Sequence, residues 1–199
     1  VPDSLLSELK APMDFTSNDS IAIYPKRNIV RMYGEGTINY GDNKITGDFM
    51  EMKTDSGTIF STYIDYPDSL KKERHYAKIT TGQDEYEAKS MRYNVKTQRG
   101  YITDVITKQG EGYVVAQQTK RMENSDLYMK DGKYSTCENH EHPHYYIAMT
   151  EAKVRPAKDL VSGPVYLVVA DVPLPIGLPF AFFPFTTKRS SGLLMPTYG

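Results

Sequence analysis

The chain has 199 residues, enough to bury a sizeable core, and its 24 Lys and Arg stand against 25 Asp and Glu, giving a formal net charge of -1. Both signs are mixed along the sequence, so it carries neither the basic stripe of a nucleic-acid binder nor a polybasic cluster for anionic lipid. One cysteine and no tryptophan exclude a disulfide within the chain and a four-cysteine zinc site.

The opening residues, VPDSLLSELKAPMDF, have neither a basic nor an apolar signal region, so a leader, if one is encoded, is expected to be already removed. Leu5, Leu6 and Leu9 fit one face of a short helix that Pro12 stops, and residues 1–12 read as a linker. From Met13 onward the apolar period becomes two. Short runs at 20–24, 28–33, 36–40, 44–52 and 57–63 are rich in Ile, Val, Tyr, Phe and Thr. Turns such as YGDNK at 40–44 and KTDSG at 53–57 separate them. A weak internal repeat follows, in which ITGDFMEMKTDSGTIF from Ile45 aligns with YEAKSMRYNVKTQRGYI from Tyr86, suggesting stacked rungs over one elongated core.

Between the copies, Lys71 to Arg74 reads as a solvated turn and His75 as an isolated, solvated side chain. Further strands are expected at 100–107, 112–119, 126–131, 133–137, 144–154 and 159–172. The last two each present an apolar face, Tyr145, Ile147 and Met149 in one and Val165, Leu167 and Val169 in the other. Residues 171–185, DVPLPIGLPFAFFPF, are the most apolar stretch. Pro173, Pro175, Pro179 and Pro184 exclude a helix and an interior strand, which leaves an extended ribbon held against an apolar surface. The pattern as a whole is that of an all-β sandwich or solenoid.

The chain has no phosphate loop, nucleophile elbow, HExxH or EF-hand loop, and no enzyme activity or cofactor is expected. Cys137, His140, His142 and His144 form the one constellation with metal-ligand chemistry. Residues two apart share a strand face, yet Pro143 interrupts the segment and the spacing matches no usual zinc finger, so a polar turn is the simpler reading.

Blocks of the sequence resemble a known family. QRGYITDVITKQGEG, YMKDGKYSTC, HPHYYIAMTEAKVRP, GPVYLVVADVPLPIGLPFAFFPF and TTKRSSGLLMPTYG follow one another as in the N-terminal periplasmic region of the lipopolysaccharide-assembly outer-membrane proteins LptD, also called organic-solvent-tolerance proteins, in a form like that of Bacteroidetes. Asp19 to Phe60 resembles the more generic repeat of the periplasmic bridge proteins of that pathway.

The resemblance implies a twisted, open β-jellyroll (OstA-like) over 13–185, and a junction over 186–199 to an outer-membrane β-barrel that begins near SGLLMPTYG. It implies a place on the periplasmic face of the outer membrane. The partners it implies are lipopolysaccharide, an LptA-like bridge jellyroll added to the edge at Met13 to Tyr24, and an LptE-like lipoprotein in the barrel. Lipid A acyl chains would enter a groove lined by Ile38, Tyr40, Ile45, Met50, Met52, Tyr86, Met91, Tyr93, Ile102, Val114, Ile147, Met149, Val165 and Leu167. The four prolines would weaken strand pairing at the barrel junction and ease the lipid's passage, Lys188 and Arg189 would meet lipid phosphates, and Cys137 would match a cysteine that pairs with the barrel in relatives. The competing reading is a structural β-solenoid with a filled core. Small residues such as Gly47, Ala88 and Ala148 favour the groove.

Overall fold

Alternating apolar and polar residues, punctuated by Gly, Asn and Asp, fold into strands along the whole of the described chain. The structure is a computed structural model, and it describes residues 13–65, 75–82, 84–109, 112–137, 139, 142–156 and 158–185. In chain order the strands are β1 (Met13–Thr16), β2 (Ser20–Tyr24), β3 (Ile29–Tyr40), β4 (Asn43–Lys53), β5 (Thr58–Thr62), β6 (Ala77–Thr81), β7 (Asp84–Asn94), β8 (Arg99–Gln109), β9 (Gly112–Arg121), β10 (Leu127–Ser135), β11 (Tyr145–Arg155), β12 (Asp159–Ser162), β13 (Val165–Val169), β14 (Val172–Leu178) and β15 (Ala181–Pro184). A 3-10 turn, Pro25–Arg27, joins β2 to β3. The expected linker at 1–12 and barrel junction at 186–199 lie outside the described residues, as do Lys71 to Arg74.

All pairs are antiparallel and belong to one 15-stranded sheet. In three places among the described residues a pair of short strands shares the length of a long one. β5 and β6 both lie between β4 and β7, β5 along one half and β6 along the other. β1 and β2 divide β3 in the same way, and β12 and β13 divide β11. The sheet therefore has two arms, joined through β3, β4 and β7 to β11. The arms close on each other, since buried residues of both form one hydrophobic cluster. This is the expected jellyroll.

Where the long strands pass from one arm to the other, the period of two is broken. Ala88 and Met91, Ile102 and Val105, Ala116 and Thr119, Met129 and Gly132, and Met149 and Ala152 are buried three positions apart, and the two residues between each pair face outward. One added residue reverses the side on which each later side chain falls. Left-handed backbone at Glu35 (φ 51), Asp104 (φ 51) and Asp131 (φ 51) supplies the bend in alternate strands. Residues 28–33 and 36–40 are therefore one strand, kinked at Gly34 and Glu35, and 126–131 joins 133–135 through Asp131. By contrast 159–172 is three pieces, cut at Gly163–Pro164 and at Ala170 (φ 49) and Asp171 (φ 61).

The corner is packed by methionine over small residues. A Cβ on Gly36 would lie 3.1 Å from Met32 Cβ and 3.1 Å from Met50 Sδ, and one on Gly132 would lie 3.3 Å from Met149 Cε. The flexible thioethers occupy space that a methyl group would close.

At the bend of β4 a carboxylate takes up main-chain donors that follow β5 and precede β6. Asp48, 1% exposed, accepts from the Ile64 N–H at 3.3 Å and the His75 N–H at 3.0 Å, and its other oxygen lies 3.1 Å from His75 Nδ1. His75 Nε2 is 3.1 Å from Glu35 Oε1. His75 is thus a bridge between two carboxylates at the corner, not the isolated side chain expected from its polar surroundings in sequence. Replacing Asp48 with Ala leaves the Ile64 and His75 amides unpaired. A loss of about 2–3 kcal/mol is expected, read as a lower urea midpoint at unchanged slope; an unchanged midpoint contradicts the role given to Asp48.

Candidate functional site

Strand register sorts the interior into rows. On the first arm, the row nearest the corner runs Met32, Met50, Ser61, Met91, Ile102, Thr119, Met129, Ala152, Ser162, Ala181. The row at the rim runs Val30, Met52, Ile59, Tyr93, Gly100, Arg121, Leu127, Val154, Leu160, Phe183. On the second arm, one row follows the corner from Ala77 through Ala88, Val105, Ala116, Gly132, Met149 and Val165 to Leu178. Its neighbour runs Ile38, Ile45, Ile79, Tyr86, Thr107, Val114, Tyr134, Ile147, Leu167.

The residues expected to line a groove fall on these rows. Ile38, Ile45, Met50, Met52, Tyr86, Met91, Tyr93, Ile102, Val114, Met149, Val165 and, at the end of β3, Tyr40 are all buried. Ile147 is half-buried and packs against the core. Leu167 is half-buried and outside the core cluster, next to the point where the β13–β14 register shifts between Tyr166 and Val168; Val168 is buried at 3% exposure but lies outside that cluster too. Val169 is exposed, as is Tyr145, whose hydroxyl is 2.7 Å from Thr136 Oγ1. The two expected apolar faces are therefore each interrupted.

Met32, Ile59, Ile79, Val105, Leu127, Met129, Val154 and Leu160 belong to the same interior but are absent from the expected set. The sequence signal that finds several of them is a methionine three or four positions from a glycine or alanine, as in Met32/Gly36, Gly47/Met50, Ala88/Met91, Met129/Gly132 and Met149/Ala152. Seven of the eight methionines among the described residues are buried here, Met13, Met32, Met50, Met52, Met91, Met129 and Met149. From β3 to β10 the large interior side chains are close-packed, most at 0–2% exposure. One groove of about 490 Å³ lies along the first arm between Tyr101, Lys120, Tyr128, Lys153 and Val161 and reaches the corner-row residues Thr119, Met129, Ala152 and Ser162.

The interior opens toward the last strands. The corner row of the second arm ends on Leu178, 60% exposed, and the rim row of the first ends on half-buried Phe183. The proline ribbon supplies two edge strands, β14 beside β13 and β15 beside β12, where a missing amide costs no ladder bond. It is held against an apolar surface, as expected, only at its β15 end, where Ala181 is buried and Phe183 and Phe185 pack against the core. Val172, Ile176, Leu178, Phe180 and Phe182 are 57–71% exposed, and Pro173, Pro175, Pro179 and Pro184 are exposed as well.

Polar groups gather at the rim. Lys153 Nζ lies 2.7 Å from Asp126 Oδ2, and this hydrogen bond, with a second from Asn124, holds the Asp126 carboxyl below its usual range. Arg155 pairs with Asp159 through two nitrogens. Arg121, 4% exposed, instead stacks 5.4 Å over the Tyr93 ring.

Of the possible metal ligands, Cys137 Sγ and His144 Nδ1 are 3.5 Å apart, while His142 lines an outer-face groove with Tyr76, Ile106 and Val115. His140 lies outside the described residues, and among the described residues no three such side chains converge. Main-chain amides of His144 and Asn139, with the His144 ring, stabilise the thiolate and lower the Cys137 pKa. Alkylation of Cys137 should therefore reach half its maximal rate at a lower pH than a free cysteine, and His144→Ala should undo only part of that shift. A midpoint equal to that of free cysteine contradicts this geometry.

Comparison with known proteins agrees with the fold and with the sequence blocks. A family model described as LptD protein matches residues 160–199. The LPS-assembly protein LptD of Acinetobacter baylyi is 29% identical over 112 residues, 54% of this chain and 13% of that protein. LptD of Pseudomonas savastanoi pv. phaseolicola is 34% identical over 79 residues, 39% of this chain and 8% of that protein. The chain thus matches a small part of the length of these relatives. In fold it is similar to LptH of Pseudomonas aeruginosa, the LptA-homologous periplasmic component of the lipopolysaccharide transport device, with a TM-score of 0.50 and 14% identity over 82% of this chain and 98% of that one. In sequence the chain is similar to part of the LPS-assembly proteins LptD, and in fold it is similar to an LptA-like β-jellyroll.

Proposed function

We propose that this chain is a segment of a lipid conduit for lipopolysaccharide transport and outer-membrane assembly, taking acyl chains into the space between its two arms and passing them on without bond chemistry. The observation that carries the reading is the apolar corner row of the second arm, which runs from Ala77 in β6 through Val105 and Met149 to the exposed Leu178. Each methylene moved from water into such an interior contributes about 0.8 kcal/mol. Methionines, which repack at little cost, let a closed interior admit a chain and shut behind it.

The remaining roles follow from the edges. Among the described residues β1 and β2 pair only with β3, so the first arm and the second each offer an edge to which a preceding LptA-like jellyroll would add. At the other end β14 and β15 would face an outer-membrane barrel holding an LptE-like lipoprotein, with the prolines weakening pairing where lipid leaves. That arrangement sets the chain on the periplasmic face of the outer membrane.

A second reading, a structural module with a permanently filled core, is favoured by the close packing from β3 to β10. Photocrosslinking in cells separates the two. A probe at Met50 or Met91 should form an adduct with lipopolysaccharide, and a probe at Glu51 or Arg92, on the outer face, should not. No adduct at any interior position in the folded, correctly located protein contradicts transport through this interior.

A further inference from the structure

Two donors on the interior face of β9 have no acceptor. Thr119 is fully buried in the corner row, and Arg121 is 4% exposed in the rim row. Among the described residues, neither Thr119 Oγ1 nor Arg121 Nε has a hydrogen-bond partner. Their neighbours make the exception plain. In the same row as Thr119, Ser61 donates to the Thr46 carbonyl at 2.9 Å and Ser162 to the Glu151 carbonyl at 3.1 Å. At the same rim, Lys153 and Arg155 each have a carboxylate, whereas Arg121 has only the Gln98 carbonyl at 3.4 Å, Ser125 Oγ at 3.1 Å and the Tyr93 face. A buried guanidinium without a counter-charge is unfavourable unless an anion joins it. Gly100, opposite Arg121 in the rim row, presents no side chain beside it.

We propose that Thr119 and Arg121 form an anion site inside the rim, which takes a phosphate group of an amphiphile whose acyl chains lie in the methionine-lined interior. Residues two apart on one strand face are about 7 Å apart, a gap that a phosphate spans by accepting from both. Guanidinium and hydroxyl donors suit phosphate oxygens, and a dry site strengthens the contact. The site rests on the reading that the interior takes up acyl chains, and it adds that uptake is selective for chains carrying a phosphate.

Titration of the 199-residue chain with dodecyl phosphate, dodecanol and inorganic phosphate, followed by calorimetry below the micellar range, tests this. The chain should bind dodecyl phosphate at least tenfold more tightly than dodecanol and should not bind inorganic phosphate at the same concentrations. Arg121→Gln should reduce dodecyl phosphate to the affinity of dodecanol and leave dodecanol binding unchanged, which also reports an intact fold. Thr119→Val should weaken dodecyl phosphate severalfold while raising the thermal midpoint, because a methyl replaces an unpaired buried hydroxyl; this variant decides the matter should Arg121→Gln fail to fold. Equal binding of the two dodecyl probes, or a preference that survives both substitutions, overturns the anion site and leaves acyl uptake standing. Inorganic phosphate binding as tightly as dodecyl phosphate overturns the assignment to an amphiphile. Binding of neither dodecyl probe removes acyl uptake and the anion site with it.

Discussion

The structure depends on the corner through which every long strand passes. At that line an antiparallel sheet has to fold back on itself while keeping its hydrogen-bond ladder, and it does so by turning two consecutive side chains outward. The inward neighbours on either side then crowd together. One of them is glycine or alanine in most strands, and the other is commonly methionine. A larger residue in place of the small one would force the arms apart, as the 3.1 Å approach of Met50 Sδ to the Cβ position of Gly36 indicates. The register of both arms, the closure of the interior and the position of every lining residue follow from this packing.

Closure and capacity are compatible because of what fills the interior. A core of Ile, Leu and Val in the same rows would pack in few ways and yield little. Methionine has three rotatable bonds and a polarisable sulfur, so it fills irregular gaps and vacates them at modest cost. The interior is closed where methionines are dense, from β3 to β10, and open at the last strands, where Phe183 and Leu178 take their place. Tails moving along the rows would meet one repacking step at a time rather than one large barrier.

The strands and the all-β class were legible in the sequence because period-two alternation survives within each arm. Ile38, Ile45, Met50 and Met91 could be placed inward from the residues alone for that reason. What alternation could not deliver was the change of side at the corner, since a two-residue step reads locally as noise. Thr119 and Arg121 illustrate this. Counted by twos from Val114 and Ala116 they fall outside, yet the bend after Ala116 brings both in. His75 was misjudged because its carboxylate partners come from residues 27 and 40 positions away in the chain. The prolines of 171–185 mark an extended ribbon that is neither helix nor interior strand, and its apolar content suggests burial. Ala181, Phe183 and Phe185 meet that expectation, whereas Val172, Ile176, Leu178, Phe180 and Phe182 stay exposed.

The central claim is that the interior between the arms opens to admit an acyl chain by repacking its methionines. The most direct measurement is the methyl NMR spectrum of methionine-labelled protein titrated with a dodecyl chain carrying a terminal nitroxide. The account predicts that the methyl signals of Met32, Met50, Met91 and Met129 broaden, while that of Met122, in the turn between β9 and β10, persists. Broadening confined to surface groups near the exposed ribbon, with the interior methionines unaffected, would contradict it.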